Sequence, residues 1–202
     1  MAASVELVKK LREMTSAGVM ECRKALTESG GDLEKAAMIL HEQGAAAVAS
    51  KQGRKAEEGV VMAYVHHGAK LGSLIEVNCE SDFVARTEEF VSLAKELAMQ
   101  VAATNPKYIS KDDVPKDILD AERKEFKGQA ESLGKGTKVE EYLEEKIEHL
   151  LSQLCLMEQP YIRDAAVTVA SLITEKVAKF KERIRVKRFV VYKLGETEDS
   201  TS

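Results

Sequence analysis

The chain has 202 residues, 44% hydrophobic and 32% charged, which suits a globular protein with one or two hydrophobic cores. Its net charge of −4 argues against a general nucleic-acid binder, which would carry a basic excess. Aromatics make up only 5% and Trp is absent, so the cores are expected to be aliphatic. Cys22, Cys79 and Cys155 are an odd number with no CxxC pair. That spacing argues against a zinc framework or disulfide scaffold and fits a reducing compartment. No apolar run approaches membrane-spanning length. The N-terminus is amphipathic and contains acids, unlike a signal or transit peptide, so a cytoplasmic protein is expected.

Three helical patterns fill the first fifty residues. Val5, Val8 and Leu11, with Leu7 and Met14 beside them, form a stripe at helical spacing, interrupted by Thr15-Ser16-Ala17-Gly18. A second stripe, Val19, Cys22 and Leu26, ends at Ser29-Gly30-Gly31. Asp32 is a candidate cap for a third helix carrying Leu33, Ala36, Ala37 and Leu40, with Gly44 as its expected end. The three read as a small docking module, residues 1–45. Residues 46–56, rich in Ala, Lys and Gly, read as a helical or flexible linker.

The period then changes. Val60, Met62 and Tyr64 alternate with Val61, Ala63 and Val65; His67-Gly68-Ala69-Lys70 turns the chain; Leu71, Ser73, Ile75, Val77 and Cys79 alternate on the return. This pattern predicts a β-hairpin. Thr87 is a candidate cap for a helix with Phe90, Leu93, Ala94, Leu97, Ala98, Val101 and Ala102 on one face, stopped by Asn105-Pro106. Further helices are expected over residues 115–133 and 139–154, separated by Gly134-Lys135-Gly136, and over residues 169–180. The last leads into a strand where Ile184, Val186, Val190 and Tyr192 alternate with Arg185, Lys187, Phe189 and Val191. The fold class predicted is α+β: a three-helix module, then an α+β core over residues 57–195 with an antiparallel sheet packed on helices. Residues 196–202 are expected to be a disordered tail.

Charge is unevenly spread. Residues 176–193 hold eight Lys/Arg against one acid, Glu182, while residues 111–148 are net acidic. Either stretch can be a solvated face or a docking surface.

The chemistry-bearing candidates are few. Adjacent side chains on a strand point to opposite faces, so His66 and His67 cannot easily chelate one ion. Cys79 falls in phase with Ile75 and Val77, as a buried thiol does. No phosphate-binding loop or hydrolase motif is present, and no metal, cofactor or catalytic residue is expected. The informative segment is Asn78-Cys79-Glu80-Ser81-Asp82-Phe83-Val84. Its aromatic residue is either ordinary core or, at the exit of a strand, a wedge beside an acid.

That segment, extended from Glu76-Val77 before it through Ala85 and Arg86 after it, resembles a signature of the elongation factor Ts family, as does the run LVKKLREMTSAGVMECRKAL over residues 7–26. Glu158-Gln159-Pro160-Tyr161, the strand around Arg188-Phe189, and Leu194-Gly195-Glu196 continue the resemblance in order. It implies an N-terminal domain of the ubiquitin-associated type and a dimerisation-type core. It also implies one partner, the GTPase elongation factor Tu, and one role, the expulsion of GDP so that GTP can enter. Displacement of the partner's Mg²⁺ would fall to Ser81, Asp82, Phe83 and Val84, and the grip on its nucleotide domain to Leu11, Val19 and Met20. Ser81 stands where Thr is usual, and Val19 where Met is common. Lys181 and Arg183 stand where Gly and Asn are usual, which leaves the turn before the last strand open. Only one hairpin of the relevant kind is present, as in short members of the family, so a homodimer is expected. A non-catalytic adaptor and an RNA-binding accessory factor are the competing classes; direct nucleic-acid binding and membrane association are not expected.

Overall fold

The computed structural model describes residues 4–15, 17–133 and 138–196. Ser16, Gly134-Lys135-Gly136 and residues 197–202 of the expected tail lie outside them. The chain divides into two compact units. One comprises residues up to Met62 with Glu76–Ala94 and Ser171–Lys187; the other comprises Ala63–Ile75, Lys95–Ala170 and residues from Arg188 onward.

The first unit begins with helices α1 (Val5–Thr15), α2 (Val19–Glu28) and α3 (Leu33–Lys51). Their stripes meet in a core of Leu11, Cys22, Ala25, Leu26 and Ala36, with Leu7, Val8, Leu33 and Leu40 packed around it. The turn between α2 and α3 uses two left-handed glycines, Gly30 (φ 69°) and Gly31 (φ 91°), where a Cβ would be strained. Asp32 then caps α3, accepting from the N–H groups of Glu34 (3.0 Å) and Lys35 (3.1 Å).

The expected helix end at Gly44 is incorrect: α3 runs seven residues further, to Lys51, through the first half of the expected linker. Gly44 is buried in mid-helix, and a Cβ there would lie 2.9 Å from the Thr174 methyl. Glycine at this position permits a close approach between helices and does not serve as a cap. Chain-ending chemistry and packing chemistry look alike when the partner is 130 positions away.

The hairpin forms as predicted, with β1 (Glu58–Val65) and β2 (Leu71–Cys79). The turn closes through His66 N–H to Leu71 O (2.8 Å) and Ala69 N–H to His66 O (2.9 Å). Strand β5 (Arg185–Lys193) completes a three-stranded antiparallel sheet in the order β1-β2-β5. After β2 come a four-residue helix α4 (Asp82–Ala85) and the long α5 (Glu88–Thr104). Thr87 caps α5 through Phe90 N–H (3.2 Å), and all seven predicted core positions of that helix are buried. Asn105 ends it in the left-handed conformation, φ 47°.

Helix α8 (Val169–Phe180) has the predicted bounds. Within the first unit it faces α5: the Phe90 and Phe180 rings meet edge-on at 6.3 Å, and Glu89 bridges Lys176 (3.0 Å) and Lys179 (2.6 Å).

In the second unit α6 (Lys116–Ser132) and α7 (Val139–Leu154) pack on each other. A hairpin of two short strands, β3 (Pro160–Tyr161) and β4 (Asp164–Thr168), follows; the sequence pattern does not predict it, because a two-residue strand has no period to detect.

The third matched motif proves to be a buried polar junction. Gln100, fully buried on α5, donates to Gln159 Oε1 (3.1 Å) and Pro160 O (3.1 Å) and accepts from Ile162 N–H (2.8 Å). Thr104 adds a 2.6 Å bond to the same Gln159 oxygen. A buried amide is tolerated only when satisfied, so Gln159 and Pro160 define the register of this turn against α5.

Candidate functional site

The turn after β2 is tied by several side-chain hydrogen bonds within the first unit. Ser81 adopts extended backbone (φ −125°, ψ 150°), and its Oγ accepts from Val84 N–H (3.3 Å), capping α4. That cap divides the four residues by direction. Val84 and Ala85 turn inward and are 6% exposed, whereas Phe83 is 79% exposed. An unpartnered Phe on the surface of a chain with only five of them stands out, since burying it would release about 1.5–3 kcal/mol. Asp82 is also exposed and pairs with Arg86 at 2.9 Å. Together with Thr87 these residues line a shallow depression.

The turn is held by groups whose pairing with it the sequence pattern does not predict. Glu182 Oε2 accepts from the N–H groups of Glu80 (3.1 Å) and Ser81 (3.0 Å), and its Oε1 accepts from Ser81 Oγ–H at 2.5 Å. Glu80 Oε1 accepts from Arg183 N–H (2.6 Å), and Arg54 pairs with Glu80 at 3.4 Å. Arg183 Nη1 returns to Arg54 O at 2.5 Å. The one acid inside the basic run of residues 176–193 is therefore a structural partner of the turn; its isolation among cations was the available signal.

The N-terminal candidates separate. Val19 (50% exposed) and Met20 (72%) stand on the first turn of α2, at the surface. Leu11 has no exposed surface and belongs to the core of the three helices, so it supports that surface and does not form it.

His66 accepts or donates in a 2.9 Å bond with Tyr64 OH, and His67 is exposed beside it. Among the described residues, no group of three or more His, Cys, Asp or Glu side chains is arranged to hold a metal ion. No described helix is long and apolar enough to cross a membrane.

All three cysteines are buried and free of disulfides. Burial, and then the Glu182 charge, push the Cys79 thiol up to about 11; burial and then Glu158 do the same for Cys155, also to about 11. At pH 8 the thiolate fraction is then lowered on the order of a hundredfold relative to a free cysteine. Native protein should therefore leave Cys79 and Cys155 unlabelled by a thiol reagent at pH 8 for far longer than unfolded protein does, as intact-mass spectrometry would read. Rapid native labelling at Cys79 would show that the turn after β2 opens readily.

The family model described as Elongation factor TS matches residues 7–196. An Elongation factor Ts of a Thermoanaerobacter species is 50% identical over 200 residues, covering 98% of each chain. That of Carboxydothermus hydrogenoformans is 48% identical over 192 residues, 95% of this chain and 88% of the relative. That of Thermodesulfovibrio yellowstonii is 46% identical over 199 residues, 98% of this chain and all of the relative. The likeness spans both units and every element described above, and the chain belongs to the elongation factor Ts family.

Proposed function

We propose that this exchange factor acts by presenting Phe83 and Asp82 to the Mg²⁺ and nucleotide site of elongation factor Tu, while the three-helix module grips the same partner through Val19 and Met20. Membership of the elongation factor Ts family makes the chain a guanine-nucleotide exchange factor for elongation factor Tu in translation elongation. The observation that carries the finer reading is the exposure of Phe83 on a turn whose neighbours are capped and tied. In this reading the chain works in the cytoplasm, makes and breaks no covalent bond, and needs no cofactor.

The energetics decide how the work is divided. A GTPase holds GDP through backbone N–H groups at a helix N-terminus and through Mg²⁺. Only a factor that binds the nucleotide-free state better than the GDP state can shift that equilibrium, and the coupling is reciprocal. A shift of about 10⁴-fold needs about 5.5 kcal/mol of differential affinity. Phe83 supplies about 1.5–3 kcal/mol if fully buried. The remainder must come from other surface, which is the role of the module and of the core. Asp82 contributes by offering a competing carboxylate, or by repelling those already near the metal. The direct test is release of a fluorescent GDP analogue from elongation factor Tu on mixing. Release at the spontaneous rate would remove the reading.

The module's part is separately testable. Its helices share a core of their own, and a chain lacking residues 1–51 is expected to keep the far-ultraviolet dichroism of the remaining elements while uncovering Thr174, which Gly44 approaches. The concentration needed for half-maximal GDP release should rise by about fivefold or more, as expected when exposed apolar anchors are removed from an interface. Unimpaired exchange by the truncated chain would show that the module is dispensable.

A further inference from the structure

The geometry points to Glu182 as a positioning residue for nucleotide exchange, one that touches neither partner nor nucleotide but holds the turn bearing Phe83 in its presenting conformation. The inference rests on the wedge reading of Phe83 and deepens it. Helix α8 ends at Phe180, and Lys181 turns left-handed (φ 58°) while its N–H still bonds to Val177 O (2.9 Å). The next side chain, Glu182, is half-buried and faces three donors: Glu80 N–H, Ser81 N–H and Ser81 Oγ–H. A carboxylate is the side chain suited to this place, because it accepts at both oxygens and charge strengthens each bond.

The arrangement is reciprocal. Ser81 Oγ donates to Glu182 and accepts from Val84 N–H, so the same hydroxyl that caps α4 is oriented by the carboxylate. Glu80 accepts from Arg183 N–H, and Arg183 reaches Arg54 O just beyond α3. The turn is thus closed on both sides by residues 182 and 183, more than one hundred positions away in the chain. A four-residue helix has too few internal bonds to hold itself. Without Glu182 the turn samples many conformations, and Phe83 must be ordered at the moment it enters the partner. That cost falls on the step in which the nucleotide is expelled and not on the first encounter, which the module carries.

The test compares Glu182→Ala, Glu182→Gln and Phe83→Ala with the parent chain, reading GDP release from elongation factor Tu across exchange-factor concentration. Glu182→Ala should lower the maximal release rate about tenfold, with less than about a twofold change in the half-saturating concentration. Glu182→Gln keeps the shape and part of the bonding, so it should recover to within about threefold of the parent rate. Amide hydrogen exchange at Glu80 and Ser81 in the free protein should be fastest in Glu182→Ala and intermediate in Glu182→Gln. A parent-like maximal rate for Glu182→Ala beside a slow Phe83→Ala overturns the positioning role and leaves the wedge standing. So does a loss confined to the half-saturating concentration. A parent-like rate for Phe83→Ala overturns the wedge and this proposal with it. Should Glu182→Ala fail to fold, a Glu182→Gln protein with unchanged amide exchange at both residues overturns the positioning role equally.

Discussion

Phe83→Ala is expected to slow GDP release from elongation factor Tu by at least about tenfold, roughly 1.4 kcal/mol, with no loss of stability. The two halves of that expectation come from different observations. The ring is 79% exposed, so the free protein loses almost no buried surface when it is removed. Inside a partner, however, the same ring would be desolvated, and its truncation would leave a cavity beside the nucleotide site. Unfolding curves in urea should therefore coincide for the two proteins while the release rates separate. A mutant with a lowered midpoint would place Phe83 in the core after all; matching release rates would mean that the ring carries no work. Val84→Ala offers the reverse pattern, because Val84 is 6% exposed and should lose stability first.

The pattern of apolar residues was sufficient to read the long elements. Helix α5 repeats its core face over seventeen residues and is capped and stopped by the residues predicted, and α8 has the predicted bounds. What could not be read are the places where distant residues decide local structure. Gly44 looks like a helix end, yet it marks the approach of Thr174. Lys181 takes a left-handed conformation that Lys disfavours, at a position where the following two residues each bond to the turn after β2. Glu182 stood out only as the one acid in a basic run and Glu80 only as part of a motif, because nothing in a single sequence pairs a carboxylate with backbone N–H groups a hundred residues away. Phe83 itself stood out only through its motif: a Phe after a strand is ordinary core by composition, and its 79% exposure places it outside the core.

A homodimer is the last expectation, and we propose that it forms through a surface within the second unit. The hairpin and the end of β5 leave Val65 (66% exposed), Leu74 (42%), Tyr192 (72%) and Leu194 (75%) in water. Val65, Leu74, Tyr192 and Leu194 line one groove, and Leu194 N–H is tied to Lys70 O at 2.8 Å, so the backbone that carries it is ordered. Covering these four side chains on each of two copies would release about 10 kcal/mol, counting about 2 kcal/mol for each residue and nearly two thirds of each as exposed. Association of two bodies costs about 4–15 kcal/mol and a micromolar dimer needs about 8 kcal/mol net, so these four side chains supply only part of the interface and the rest must come from other surface. A closed twofold arrangement covers like surface with like, whereas a lone chain leaves the groove wet. Light scattering at micromolar concentration should give about twice the 22.3 kDa chain mass. Tyr192→Glu places two charges in the shared face, one from each copy, and should return the mass to that of one chain while the urea midpoint of the monomer is unchanged. A parent mass that stays at 22.3 kDa on concentration would rule out the dimer.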